Sequence, residues 1–225
     1  MQRRFIIFAV AMALFIPLLL LVDGRGMQHQ LALGGTAALF LWACTRHSPV
    51  PRTQILWAIG IATLGEVILS LGWGLYSYEF ALIPFYVPPG HGMFYALAAE
   101  SAQQDILRRH ERVITRGVLV IGTLLALVSF IVLHDTWGLL WWLGALALIR
   151  FSRNQLLLST CFVYTLGLEW TGTLLGNWRW AAEVPGLGLH SANPPAGVGI
   201  LYILLDLIVV AVATARKPVA AYEPA

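Results

Sequence analysis

Seven apolar runs of about the length a bilayer requires, roughly 17–25 residues, recur along the chain at about 5–22, 29–45, 54–73, 115–133, 136–149, 155–175 and 196–215. Each predicts a helix, with the short run at 136–149 borrowing length from its flanks. Between the third and fourth runs lies "YVPPGHGMFYALAAESAQQD" (86–105), where prolines, a histidine, a glutamate, two glutamines and an aspartate interrupt the apolar pattern. Charge decides whether this stretch crosses. If 82–104 is an eighth span, Arg3, Arg4, Arg46, Arg52, Arg108, Arg109, Arg112, Arg116, Arg150, Arg153, Arg216 and Lys217 share one side, and only Arg25 and Arg179 lie on the other. Twelve against two is a strong positive-inside bias. Without the eighth span the later loops change sides and the bias shrinks. The expectation is therefore eight spans, both termini cytoplasmic, and outward loops at 74–81, 134–136 and 176–195. The first run follows two arginines like a signal peptide, but it is long and no small-x-small site follows, so it reads as an uncleaved helix.

Composition agrees. Hydrophobic residues make up 59% and charged residues 11% of the 225, with a mean hydropathy of +0.76. A soluble domain carries roughly 25% charged residues, so this surface suits lipid. The predicted fold class is an all-α polytopic transmembrane bundle, one membrane domain over 1–225, in the cytoplasmic (inner) membrane of a bacterium, with membrane lipid as its partner. Cys44 and Cys161 read as buried small hydrophobes. There is no HxxxH, HExxH, Walker A, GxSxG or dinucleotide fingerprint, so no metal, cofactor or nucleic-acid partner is expected. "RRHERVITR" (108–116) reads as a topology determinant.

The spans divide into two sets of four. "LGEVILSLGWGLYSY" (64–78) lies over "LGLEWTGTLLGNWRW" (166–180) without a gap, placing Gly74 on Gly176, Tyr76 on Trp178 and Tyr78 on Trp180. "VPPGHGMFY" (87–95) resembles "NPPAGVGILY" (193–202), with Glu100 and Asp206 at matching distances beyond the prolines. Halves of about 1–112 and 113–225 with equal span numbers predict a parallel repeat about an axis along the membrane normal. Glu66 and Glu169 fall one residue out of register, which is 100° of helix rotation.

Intramembrane carboxylates are functional candidates by default, and the spans hold Glu66, Glu100, Glu169 and Asp206. A carboxyl kept from water can serve as an acid, or such groups can bind helices together. Ser70 and Thr173 sit four residues after Glu66 and Glu169, and Tyr202 shares a helix face with Asp206. His91, at the outer end of the fourth span, is a candidate proton shuttle, with His190 and Asn193 in the last outer loop. Trp73, Tyr76, Tyr78, Phe80, Trp178 and Trp180 gather where the third and seventh spans leave the membrane, with Trp137, Trp141 and Trp142 on the same side. They read either as an interfacial belt or as π faces that hold a conjugated ligand and stabilise a cation. Arg179 is placed to meet Glu183 or an anionic head group.

The pattern of a helix Glu, then Gly74-x-Tyr76-x-Tyr78, an apolar stretch and Val87-Pro88 opening the next helix resembles the membrane carotenoid-biosynthesis proteins. These include carotenoid hydratases of the bisanhydrobacterioruberin type and, more distantly, small-subunit lycopene cyclases. The resemblance covers 65–95 and repeats weakly at 167–202. The hydratase-like pattern has Pro-Phe where this chain has Gly72-Trp73, and the cyclases have Pro-x-Glu-Glu where it has Pro88-Pro89-Gly90-His91. The resemblance implies Glu66, Tyr76 and Tyr78 as transferable positions. Three functions follow as expectations: cofactor-free acid–base chemistry on a polyene or isoprenoid lipid, proton-coupled carriage of a small solute, or a non-catalytic accessory subunit. For the first, Glu66, Glu169, His91, Glu100 and Asp206 are the candidate chemical groups, with Trp73, Tyr76, Tyr78, Trp178, Trp180 and Tyr202 as the binding wall.

Overall fold

A computed structural model describes residues 2–80 and 83–215; Arg216 and Lys217 lie outside the described residues. The chain is mostly helical. In order come α1 (Gln2–Leu21), α2 (Met27–Thr45), α3 (Arg52–Glu66) continuing as a π-helix (Val67–Gly72), β1 (Tyr76–Tyr78), α4 (Val87–Ser101), α5 (Asp105–Arg109), α6 (Glu111–Leu133), α7 (Thr136–Phe151), α8 (Gln155–Leu175), β2 (Trp178–Trp180) and α9 (Ile200–Ala215). Three helical stretches, Arg3–Leu21, Arg52–Gly72 and Glu111–Leu133, are long and apolar enough to cross a membrane, and Thr136–Phe151 and Ile200–Ala213 are shorter apolar helices.

Local chemistry accounts for the ends of these elements. Pro88 and Pro89 fall in the first turn of α4, where a missing N–H has no helical acceptor to lose. Asp135 caps α7 by accepting from the Gly138 N–H. Gly176 closes α8 with φ 83° and Gly74 follows the π-helix with φ 73°, left-handed conformations open to glycine.

The helical expectation holds for most of the described residues, with one short ribbon added. Two of the three predicted outer loops, 74–81 and 176–195, contain a three-residue strand, and β1 and β2 pair antiparallel with Tyr76 opposite Trp180, Ser77 opposite Arg179 and Tyr78 opposite Trp178. Alternating Tyr-Ser-Tyr and Trp-Arg-Trp present aromatic rings inward and Ser77 and Arg179 outward, the period-two pattern of a half-buried ribbon. The run at 196–215 begins as a turn and becomes helical at Ile200.

Four helices form the centre: α3 packs on α4 and α9, and α8 packs on α4 and α9. Around them α2 lies on α4, α7 on α8 and α9, α1 on α4 and α8, and α6 on α7 and α8. Small residues sit at the helix contacts, with Ala37, Ala58, Ala126 and Ala145 fully buried, while Ile7, Leu39, Ile131 and Leu174 face outward. Small inside and large aliphatic outside is the arrangement of helices packed in lipid.

At the end of α1 away from the strands, Arg4 donates to Glu100 Oε2 and Ser48 to Glu100 Oε1, each at 2.5 Å. This joins α1, α4 and the α2–α3 turn around a fully buried carboxylate. Arg4→Met leaves that carboxylate without its cation, and removing one partner of a buried pair costs roughly 3 kcal/mol. The expected result is a lower unfolding midpoint in detergent, partly restored when Glu100→Gln is added. Equal midpoints in the single and double variants would show that the pair does not hold this end together.

Candidate functional site

Two glutamates, one from α3 and one from α8, meet the aromatic ribbon in the same manner. Glu66, at the end of α3, accepts from the hydroxyls of Tyr76 and Tyr78 at Oε2, both at 2.8 Å. Glu169, on α8, accepts from the indole N–H groups of Trp178 at 2.8 Å and Trp180 at 3.0 Å, again both at Oε2. Each acid thus takes two donors from alternate residues of the strand that follows its own helix.

The one-residue register offset is resolved by the π-helix. Ten residues separate Glu66 from Tyr76 and nine separate Glu169 from Trp178. The extra residue lies in a stretch that winds as a π-helix over Val67–Gly72, the usual way an α-helix absorbs an insertion. The predicted 100° misdirection of one carboxylate therefore does not occur.

The remaining oxygens differ. Glu66 Oε1 lies 3.0 Å from His91 Nε2, and the His91 ring lies against Tyr202 at 5.1 Å between centroids. Glu169 Oε1 has no hydrogen-bond partner among the described residues. Both glutamates, with Tyr76, Tyr78, His91, Trp178, Trp180 and Tyr202, line a cavity of about 210 Å³. Apolar side chains from α1, α3, α4, α8 and α9 complete it, including Leu20, Ile61, Phe94, Leu168 and Leu205. Burial, and then the Glu66 charge beside them, push the Tyr76 and Tyr78 phenols well above the ordinary value, so both stay protonated and stay donors.

The rings brace one another. Tyr76 and Trp180 are 4.6 Å apart, Tyr78 and Trp178 are 6.1 Å apart, and Trp141 meets Trp180 edge-on at 5.7 Å. Asn193 Oδ1 accepts from the Trp180 backbone N–H. Asn177 donates to the Leu20 carbonyl and to Asp23, which also accepts from the Tyr86 hydroxyl at 2.6 Å. The ribbon is thereby tied to α1 and to the start of α4.

Three expected members stand apart. Glu100 lies nine residues beyond His91, about 14 Å along α4 at 1.5 Å per residue, and serves the Arg4 contact instead. Asp206 is one turn beyond Tyr202, buried, with Oδ2 lacking a partner among the described residues, and it does not line the cavity; its neighbour is the Cys161 thiol of α8. Trp73 donates to the Pro185 carbonyl and meets Trp137 edge-on, outside the cavity. Thr173 bonds the backbone carbonyl of Glu169, not its carboxylate, and the Glu66 carboxylate is served by Tyr76, Tyr78 and His91 rather than Ser70. His190 holds the last loop through its backbone against Thr136 and Trp137. Arg179 forms no ion pair with Glu183 among the described residues.

No protein-family model, curated protein or solved structure matches the chain. The carotenoid-protein resemblance therefore rests on the quoted residues alone.

Gly172 shows how closely the site is fitted. A Cβ there would fall 2.0 Å from the Trp178 ring. In Gly172→Ala the clash, about 1–3 kcal/mol for overpacking, outweighs the roughly 1 kcal/mol of helix propensity that alanine gains. Trp178 must swing away from Glu169. A lowered unfolding midpoint with altered near-UV circular dichroism is expected; an unchanged spectrum would mean that the indole does not occupy this position.

Proposed function

We propose that the chain is an integral protein of a bacterial cytoplasmic membrane that catalyses proton-initiated addition to a double bond of a polyene or isoprenoid lipid. In this reading eight helices (α1 to α4 and α6 to α9) cross, both termini are cytoplasmic, and the halves 1–112 and 113–225 are parallel repeats. The observation that carries it is the pair of buried glutamates, each held by two aromatic donors, on one apolar cavity. The matched contacts of α3 with α9 and of α8 with α4, and the ribbon that pairs the two halves, support the repeat.

The oxygens support a division of roles. An indole N–H only donates, so Glu169 Oε2 is fixed as an acceptor and the proton of the acid form sits on Oε1, toward the cavity. Transfer of that proton to one alkene carbon forms a C–H bond and leaves a cation on the neighbouring carbon. The faces of Tyr76, Trp178 and Trp180 stabilise that cation. Water, or a second double bond of the same chain, supplies the electron pair that captures it. The proton then released is taken up at Glu66 Oε1, shared with His91, and returns to Glu169 through cavity water. With water the sum is hydration of the double bond, with no oxidant or reductant.

A catalyst is favoured over a carrier by the ribbon. Besides the β1–β2 ladder, the Glu79 N–H donates to the Asn177 carbonyl and the Ala181 N–H to the Leu75 carbonyl, so opening the halves at this end breaks a continuous set of backbone bonds. The test is the lipid and carotenoid content of a strain lacking the chain. Loss of a hydrated or cyclised product with accumulation of its alkene precursor is expected. An unchanged profile, or uptake that collapses with the proton gradient, overturns the reading.

A further inference from the structure

The cavity is sealed on one side and open on another. Where α1 crosses the α4–α8 seam, its cavity-lining Leu19 and Leu20 are 5% and 4% exposed. The equivalent seam between α3 and α9 has no helix across it among the described residues. There the cavity wall is itself surface: Leu204 is 40% and Ile208 46% exposed, and both line the cavity. Opposite them on α3 lies Gly65, where a Cβ would meet nothing within 4 Å. Leu64 and Ile68 flank it, exposed and apolar.

We propose that the α3–α9 seam is a lateral portal through which the apolar chain of an isoprenoid lipid passes from the bilayer into the cavity, with Gly65 setting its width. This rests on the acid–base reading for what happens inside and adds the route. The occupant follows from the chemistry of the path. The flanking side chains named are aliphatic, which suits a hydrocarbon and offers an ion or sugar nothing. Polar groups, Glu66, His91 and Glu169, wait at the inner end. The strand end is closed by the ribbon and by the Asn177 and Tyr86 bonds to α1 and Asp23. An elongated chain thus lies with its reactive double bond under the aromatic pairs and its tail between Leu204 and Gly65.

The experiment uses the full chain in phosphatidylcholine nanodiscs with geranylgeraniol bearing a terminal diazirine, irradiated and mapped by peptide mass spectrometry. Expected are labels at the seam, on the segment with Leu204 and Ile208, and inside, on the segment with Phe94. Gly65→Phe should reduce the inner label several-fold and spare the seam label. Gly60→Phe, on the exposed face of α3 away from the cavity, should change neither. An inner label undiminished in Gly65→Phe, or absent from the wild-type chain, overturns the portal, as does disulfide linkage of two copies through Leu204→Cys. Should labelling follow expectation while Glu169→Gln leaves the lipid profile unchanged, the portal stands and the acid–base reading falls. An undiminished inner label together with loss of product in Glu169→Gln has the reverse meaning.

Discussion

Glu169→Gln is expected to abolish the product while leaving the fold intact. The amide keeps a carbonyl oxygen for the Trp178 and Trp180 N–H groups, so both donors remain satisfied and the ribbon stays in place. What is lost is the transferable proton at the second oxygen. A positioned general acid contributes roughly 10²–10⁴-fold, so turnover should fall by about that factor. Because the substituted group is buried against its partners, the unfolding midpoint should move little. The neighbouring Trp170→Phe, on the outward face of α8, serves as the control and should retain turnover. Product formation in a strain carrying each variant decides the matter: wild-type levels from Glu169→Gln would remove this residue from the chemistry.

The largest effect on stability is expected at Asp135, a residue that the sequence reading passed over. Its fully buried carboxylate accepts four hydrogen bonds: from the Gly138 and Ala192 N–H groups at Oδ1, 2.9 and 3.0 Å, and from the Ala196 N–H and Ser129 hydroxyl at Oδ2, 2.9 and 2.8 Å. It thus holds the start of α7, the end of α6 and the segment leading into α9. Asp135→Ala strands three backbone donors, each of which costs about 1–3 kcal/mol when buried without a partner. A loss of at least about 3 kcal/mol is expected in detergent unfolding. Asp135→Asn should recover less than half of this, since its NH₂ group turns a donor toward donors. Recovery to wild type in Asp135→Asn would show that charge and four-fold acceptance are not needed.

Much of the fold was legible because lipid imposes one rule on a whole segment. An apolar run of bilayer length must close its own backbone hydrogen bonds, and helices lie at every run that hydropathy or charge marked. The strands escaped because three residues in a loop carry no periodic signal beyond an alternation of rings, and an interfacial belt explains those rings equally well. The π-helix escaped for a related reason: Val67–Gly72 is apolar throughout, and an added residue leaves no trace in an unbroken run. Only the alignment of 64–78 with 166–180 touches it, as a misfit of one position that reads as a rotation and not as an extra residue.

The candidate site was half legible. Glu66, Glu169, His91 and the four strand aromatics were visible as polar or aromatic residues at matching depths, and they converge. Glu100 and Asp206 satisfied the same criteria and do not join them. Depth along a helix can be counted in sequence, but the face that a side chain presents depends on neighbours not yet placed. Asp135 was missed because an aspartate before a helix is commonplace, and its two distant donors, Ala192 and Ala196, come from the segment before α9.

The two carboxylates have similar frames and unequal wiring. A phenol can both give and take a proton, and Glu66 is surrounded by two of them and an imidazole. Indoles neither accept a hydrogen bond nor relay a proton, so Glu169 is insulated on its protein side. Its acid can be recharged only across the chamber, which Glu66 and His91 also line. On the proposed mechanism the rate of reprotonation then depends on how much water a bound lipid leaves between the two carboxylates.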